Sequence, residues 1–388
     1  MGIDMDRDLN KVIIIGTDHH NVLGTVRCFG VNGIKPYGII VKNDDSPLWV
    51  TKSRYWRQTI VIGDDSEIYD ALVKNFGNEM KKPVVICCSD GAMCFIDRNL
   101  DRLKDRFILP SLNGEQGAIT RLMNKETQQE FLEQQGIHML ESRIIDLTAE
   151  SSCHDLDYPV ILKPVASVEG DKKDIVICDS EESALRDLAE FGRLGYKRIL
   201  CQHYLRNVEE YLLTGAVSKR TVSYVICKII RQWPVKTGSG SYSVFSHDET
   251  TLCYIDSVMK QLQKLGFSGT IDIEFFKTDE GYCINEINWR TSGFNHVSLF
   301  TKEYSSYYYY LSVTDQDFRH DDHFVKNGFI MNEGADLRNA LIAKNVSILT
   351  WFAQLFTVKT FAFWFWKDLR PAFSRYLYYF RKYVSGNE

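Results

Sequence analysis

The sequence predicts a mixed fold of α/β and α+β parts: a doubly wound N-terminal α/β unit, a larger α+β body, and a helical, aromatic C-terminal extension. Three observations carry this. Short apolar runs at Lys11–Gly16, Tyr37–Val41 and Pro83–Cys88 alternate with helical stretches, the pattern of a parallel sheet covered on both faces. Two alternating segments flank Thr278-Asp279-Glu280-Gly281, the pattern of an antiparallel hairpin. Val346–Val384 gathers tryptophan and phenylalanine. A chain of 388 residues is too long for one simple core, and three units are expected, at 1–115, 116–312 and 313–388.

Composition excludes more than it proposes. Apolar content of 44% and charged content of 25% are those of an ordinary globular protein. A net charge of −5 gives no reason to expect nucleic acid as a partner. The ten cysteines include adjacent Cys87 and Cys88 but no Cys-x-x-Cys pair, so neither a zinc spacing nor a disulfide framework is present. Met1–Asn10 is polar and acidic rather than a leader, and the expected setting is reducing and cytoplasmic.

In chain order, the first apolar run ends at Gly16 and leads through a polar loop, Thr17–Asn21, into a helix. His19 and His20 stand in that loop, beyond the carboxyl end of the first strand, where open sheets bind ligands and where solvated turn residues also occur. Gly16 and Gly24 are too far apart for a dinucleotide fingerprint. A helix is predicted from about Gly117 to Gln135, closed by Gly136, with Asn124 and Lys125 inside it. Tyr158–Pro164 reads as a strand whose apolar run is interrupted by Lys163. An ammonium there needs either an anion or a route to solvent.

The loop Ala166–Asp174, with Gly170, Lys172 and Lys173, suits a mobile basic flap or a plain solvent loop. A helix near Glu181–Leu194 is followed by Ile199–Leu205 and by Glu209-Glu210. Thr221–Arg231 is a strand by its β-branched content. Gly238–Ser241 is either a linker or a loop offering backbone N–H groups to an anion. A helix over Asp248–Leu265 leads into the hairpin.

The hairpin is the most informative segment. With a three-residue loop Asp279-Glu280-Gly281 and Gly281 in the left-handed region, Thr278 faces Tyr282. Counting back, Glu274 then opposes Glu286 and Asp272 opposes Asn288 on one face, while a four-residue loop would separate the two glutamates. Opposed carboxylates are destabilising unless a cation neutralises them, and oxygen ligands from Glu and Asn suit Mg²⁺. Arg290 follows on the same face, and a guanidinium beside a divalent cation suits a polyphosphate. Ile271, Ile273, Phe275, Ile287 and Trp289 form the apolar reverse face.

The succession Lys125, Lys163, the Gly/Lys flap, Gln202-His203-Tyr204-Leu205, Glu209-Glu210, Glu274 and Glu286-Ile287-Asn288-Trp289-Arg290 resembles the ATP-grasp superfamily over roughly residues 10–312. More narrowly it resembles the carbamoyl-phosphate-synthetase-like and D-aspartate-ligase-like carboxylate–amine ligases. The resemblance implies a pre-ATP-grasp N-terminal domain, ATP, and one or two Mg²⁺ ions, with Mn²⁺ as a substitute. It implies C–N bond formation of the acid–amino acid type through an acyl phosphate, a thiol being an alternative acceptor, with release of ADP and phosphate.

It further implies that Lys125 and Lys163 hold the α- and β-phosphates and that Gln202 and Leu205 flank adenine. Glu209, or in second place Glu210, would bind the ribose hydroxyls. Glu274, Glu286 and Asn288 would hold the metal, and Arg290 the γ-phosphate. The flap has one glycine where the family often has several, which leaves phosphate coverage open. Of Lys228, Arg231 and Lys236, Arg231 is the favoured substrate cation because it can bind a carboxylate bidentately.

In the tail, Lys359 splits the apolar run short of a membrane span, and Lys359–Val384 carries six basic residues against Asp368, a net +5. That composition suits either a helix packed on the body or at a dimer interface, or an interfacial element on the inner membrane face over 346–384. A membrane location would fit a cell-wall or surface-polysaccharide precursor as substrate. Two other readings stand beside the ligase: a small-molecule kinase of the same fold, and a non-catalytic nucleotide-binding module recruited by its tail.

Overall fold

The computed structural model describes residues 9–42, 47–148, 156–165, 174–246, 248–319 and 327–384. The apolar runs of the N-terminal unit form β1 (Val12–Thr17), β2 (Tyr37–Val41), β3 (Gln58–Ile62) and β4 (Val84–Cys87), a parallel sheet in the order β3-β2-β1-β4. Strand β1 is buried on both faces: Ile13 and Ile15 enter one hydrophobic cluster, Val12 and Ile14 another. That is why it reads as a continuous apolar run rather than an alternating one. Strand β3 was not expected from the sequence. It is the edge strand, and its Gln58, Thr59 and exposed Val61 dilute the apolar signal.

After β5 (Ser111–Leu112), a small antiparallel sheet collects β6 (Ser142–Asp146), β7 (Val160–Pro164), β8 (Val176–Cys178) and β9 (Arg198–His203) in the order β6-β9-β7-β8. The helix Glu181–Arg193 covers one of its faces, packing Ala184, Leu188 and Phe191 onto Val160, Leu162, Ile199 and Cys201. Alternation then turns Ile161, Lys163, Leu200 and Gln202 to the opposite face.

The main sheet contains β10 (Glu209–Val217), β11 (Val222–Trp233), β12 (Ser239–Ser246), β13 (Phe267–Thr278), β14 (Gly281–Asn288), β15 (Asn327–Met331) and β16 (Val358–Phe361). Their order is β14-β13-β10-β11-β12-β15-β16, with β5 on the start of β13. The helix Glu249–Lys264 seals the apolar face, its Ile255, Val258, Met259 and Leu262 sharing a cluster with Ile271, Ile273, Phe275 and Ile287. Gly238–Ser241 belongs to the turn and first residues of β12 rather than to an open loop.

The C-terminal region is helical, with Ile348–Leu355 and Arg370–Val384, and it also adds β15 and β16 to the main sheet. It is fastened to the N-terminal unit by a fully buried ion pair: Arg27 Nε donates to Asp368 Oδ2 at 3.0 Å, and Arg27 Nη2 to the carbonyls of Phe363 and Asp368 at 2.8 Å each. Among the described residues no helix is long and apolar enough to cross a membrane.

Candidate active site

The hairpin places its carboxylates as expected, by a different route. Thr278 pairs with Gly281, so the loop is the two residues Asp279 and Glu280, with Gly281 at φ 134°. This one-residue change would turn every later side chain over, but a β-bulge at Asn285 restores the register. Glu274 therefore faces Glu286, and Asp272 faces Asn288. The bulge also lets Ile284 and Ile287, three residues apart, both enter the core. That spacing was the signal in the sequence that a simple alternation breaks there.

Strand β14 is the edge of the main sheet, and its free side is clamped by Gln128. The buried Gln128 amide donates to the Ile287 carbonyl at 2.9 Å and accepts from the Ile287 N–H at 3.0 Å. Sequence reasoning passed over Gln128, which reads as one polar residue on a polar helix face. The helix expected over Gly117–Gln135 is in fact two, Ala118–Leu122 and Lys125–Gln134. Asn124 is extended between them, and its side chain caps the second through the Thr127 N–H. Lys125 thus opens a helix and points its Nζ to Glu286 Oε2, 2.9 Å away.

Lys163 comes to the same place from the small sheet, on the face it shares with Gln202. Its ammonium is pushed down to about 7, chiefly by burial and next by the Lys125 charge. Burial also works against the Lys125 ammonium, but Glu286 outweighs it and raises that group. The two carboxyls divide likewise. Burial favours the neutral form of both, yet Lys125 and Lys163 hold Glu286 down at about 2, while burial and the Glu286 charge keep Glu274 raised. Two cations from one sheet and helix thus meet two opposed carboxylates from the other sheet, a charge set arranged for an anion and a cation together.

Arg290 continues the row to the N-terminal unit. Its Nε donates to Asp90 Oδ1 at 3.2 Å and its Nη1 to Asp272 Oδ2 at 3.0 Å. Asp90 opens the helix Asp90–Arg98, just beyond β4. Thr291 donates both its N–H (3.1 Å) and its hydroxyl (3.2 Å) to the Cys87 carbonyl at the end of β4, which welds this corner. Burial raises the Asp272 carboxyl to about 7 despite Arg290, and its Oδ1 is buried with no hydrogen-bond partner. His20 lies at the same edge, with Nε2 3.0 Å from where a Cβ on Gly293 would stand. His19 caps its helix through the Asn21 N–H.

Two expected residues face elsewhere. Register pairs Leu212 with Glu274, so the even-numbered side chains of β10 share the carboxylate face. Glu210 therefore points to the cluster and Glu209 to the reverse face, where it meets Lys228 and the Tyr211 hydroxyl. Glu210 accepts from Gln232 and is raised to about 8, by burial first and by Glu274 second. Arg231 is likewise turned away: a bulge at Ile230 puts it opposite Tyr242 and brings Gln232 to the site face. Its fork is taken by the buried carboxylate of Asp336, at 3.0 and 2.7 Å. Gln202 is buried on the face it shares with Lys163, and Leu205 follows β9 in the connection to β10. The expected flap at 166–174 lies, apart from Asp174, outside the described residues.

No family profile matches the chain. D-aspartate ligase of Enterococcus faecium is 24% identical over 305 residues, covering 72% of this chain and 70% of that protein. N5-carboxyaminoimidazole synthetase from Staphylococcus aureus, solved with ADP, superposes with a TM-score of 0.64 at 17% identity, over 87% of this chain and 86% of that one. The chain has the ATP-grasp fold. Two further solved structures agree. L-amino acid ligase from Bacillus licheniformis gives a TM-score of 0.62 at 14% identity, over 83% and 79% of the two chains. The biotin carboxylase domain of Hydrogenobacter thermophilus 2-oxoglutarate carboxylase, solved with MgADP and bicarbonate, gives 0.59 at 15% identity, over 83% and 74%.

The residues where the small sheet meets the main sheet fit a hard divalent cation. Glu274 and Glu286 are opposed and half-buried, and an oxygen donor set of two carboxylates and an amide suits Mg²⁺. Among the described residues no three His, Cys, Asp or Glu side chains are gathered that could hold a metal ion, and Asn288, paired with Asp272, is the amide on the same strand face.

Proposed function

We propose that this protein is an ATP-dependent carboxylate–amine ligase that uses Mg²⁺ and forms its C–N bond through an acyl phosphate. The observation that carries this reading is the facing pair Glu274 and Glu286, with Lys125 on one side and Arg290 at the junction with the N-terminal unit. In this reading Mg²⁺, held by Glu274, Glu286 and Asn288, neutralises phosphate charge. Lys125 and Lys163 bind the α- and β-phosphates as point charges on rigid elements. Gln202 and Leu205 flank the base. Glu210 takes the ribose hydroxyls in place of Glu209, supported by its facing the cluster and by a raised carboxyl that can donate as well as accept.

Arg290 is held by Asp90 and Asp272 with its guanidinium aimed from fixed geometry, the arrangement that stabilises developing charge without reorganisation. A substrate carboxylate oxygen attacks the γ-phosphorus, ADP leaves, and the amine nitrogen then attacks the acyl carbon. The C–O bond breaks, and phosphate departs with the carboxylate-derived oxygen. The acceptor is proposed to enter at the edge where His20, Asp90 and Gly293 meet, because that edge lies beyond the carboxyl ends of β1 and β4 beside Arg290.

The finer substrate reading is a cell-wall or surface-polysaccharide precursor, supported by the aromatic, basic C-terminal segment and the peripheral membrane contact it suits. A homodimer is compatible with it. The units 1–115, 116–312 and 313–388 are kept as the proposed division, with β15 and β16 as the part of the last that completes the main sheet.

The test is ADP release with Mg²⁺-ATP across a panel of amino acids and small carboxylates, beside Glu286→Gln. Turnover that needs one acid–amine pair and vanishes in the variant is expected. ADP release with one substrate and no amine, yielding a stable phosphorylated product, would instead make the protein a kinase.

A further inference from the structure

The helix Arg370–Val384 has two faces of different kinds. One is fixed to the body: Tyr376 donates to Glu333 Oε1 at 2.7 Å, and the Arg375 guanidinium lies 3.9 Å from the Phe363 ring centroid. The other carries Phe373, Leu377, Phe380 and Val384 at intervals of four, three and four residues, so all four lie along one stripe. With Trp366 just upstream, these side chains are 49–77% exposed, on a helix that cannot rotate to bury them. A stripe of this kind on a fixed helix marks an interaction surface rather than scattered surface apolarity.

We infer that this stripe seats the protein on an anionic lipid bilayer. The inference deepens the membrane contact raised above, and it stands independently of which reaction is catalysed. Charge selects the occupant. The chain is net −5, yet Leu369–Val384 contains Arg370, Arg375, Arg381 and Lys382 and no Asp or Glu. Arg370 and Arg381 are exposed on the flank of the stripe.

A second copy of the chain is the other candidate, because the spacing is also that of a coiled-coil seam. Two heptads are short for such a seam, and it would bring the same cationic flanks together. Phenylalanine and tryptophan beside arginine are instead what the boundary between headgroups and acyl chains accepts.

The experiment uses the full chain with sucrose-loaded vesicles of phosphatidylcholine alone or mixed with phosphatidylglycerol, at low and high salt, together with sedimentation analysis of the mass. The expected result is co-sedimentation with the anionic vesicles that fades with salt. Partitioning should fall about fivefold for each cation lost in Arg370→Gln and Arg381→Gln, and at least tenfold in Phe380→Glu. Because all three positions are exposed, thermal unfolding of the variants should match the parent. Absence of binding to either vesicle would overturn the proposal. So would a dimer that Phe380→Glu converts to monomer. Neither outcome touches the ligase reading, since ATP turnover is not the readout and the stripe lies apart from the carboxylate cluster.

Discussion

Replacing Asp368 by alanine should destabilise the whole fold, and the structure gives the size of the effect. The Asp368 carboxylate is fully buried and accepts from Arg27 Nε at 3.0 Å, Ser53 Oγ at 2.8 Å and the Arg54 N–H at 2.9 Å. Burial lowers the Arg27 pKa, and Asp368 is the main group acting against that. Without the carboxylate, Arg27 keeps its bonds to the Phe363 and residue-368 carbonyls but remains a buried, uncompensated cation.

Removing one partner of such a pair costs about 3–5 kcal/mol. The remaining carbonyl bonds place this case near the middle, at about 4 kcal/mol. The assay is urea unfolding at pH 7, followed by tryptophan fluorescence and far-ultraviolet circular dichroism. The double variant Arg27→Met with Asp368→Leu should recover most of the loss, because replacing a buried pair by apolar residues is often neutral. A cost below about 1 kcal/mol for Asp368→Ala would refute the claim that this pair fastens the C-terminal region to the N-terminal unit.

Four further outcomes are expected. Arg290→Lys should lower turnover by about 10²–10³-fold. Arg231→Lys should leave turnover near the parent and cost about 1–3 kcal/mol of stability through its lost fork on Asp336, which parallel kinetics and urea midpoints would separate. Glu210 is held protonated in the fold up to about pH 8 but ionises near 4.5 when unfolded, so the folded state binds more protons between those values and stability falls as pH rises through them. Glu210→Gln should remove that slope and gain on the order of 2 kcal/mol over the parent between pH 6 and 8, read as urea midpoints that diverge across that range. Lys163, at about 7, should take up a proton at pH 8 when phosphates arrive. Calorimetric titration of ADP in buffers of different ionisation heat should detect uptake of up to one proton in the parent and none in Lys163→Met.

Much of the site was legible because its residues are tied to sheet alternation. Glu274, Glu286, Asn288 and Arg290 keep the expected face because Ile273, Ile287 and Trp289 are buried opposite, although the loop is one residue shorter than expected and the Asn285 bulge makes up the difference. What escaped was whatever a bulge or a strand start decides. Arg231 would have shared a face with Ile229 but for the extra residue at Ile230, and no local signal marks that bulge. Glu209 and Glu210 are adjacent and chemically equal, and only their pairing with β13 assigns their faces. Long-range partners were equally silent: Arg27 and Asp368 are 341 residues apart, and neither β15 nor β16 stands out from the helical pattern around it.

The most direct test of the ligase reading is oxygen transfer. With the acid–amine pair that supports turnover, the carboxylate is labelled with ¹⁸O and the inorganic phosphate released is analysed by mass spectrometry. An acyl-phosphate route predicts one ¹⁸O atom in each phosphate and one fewer in the amide product. Phosphate free of label, with both labelled oxygens still on the acid, would contradict it.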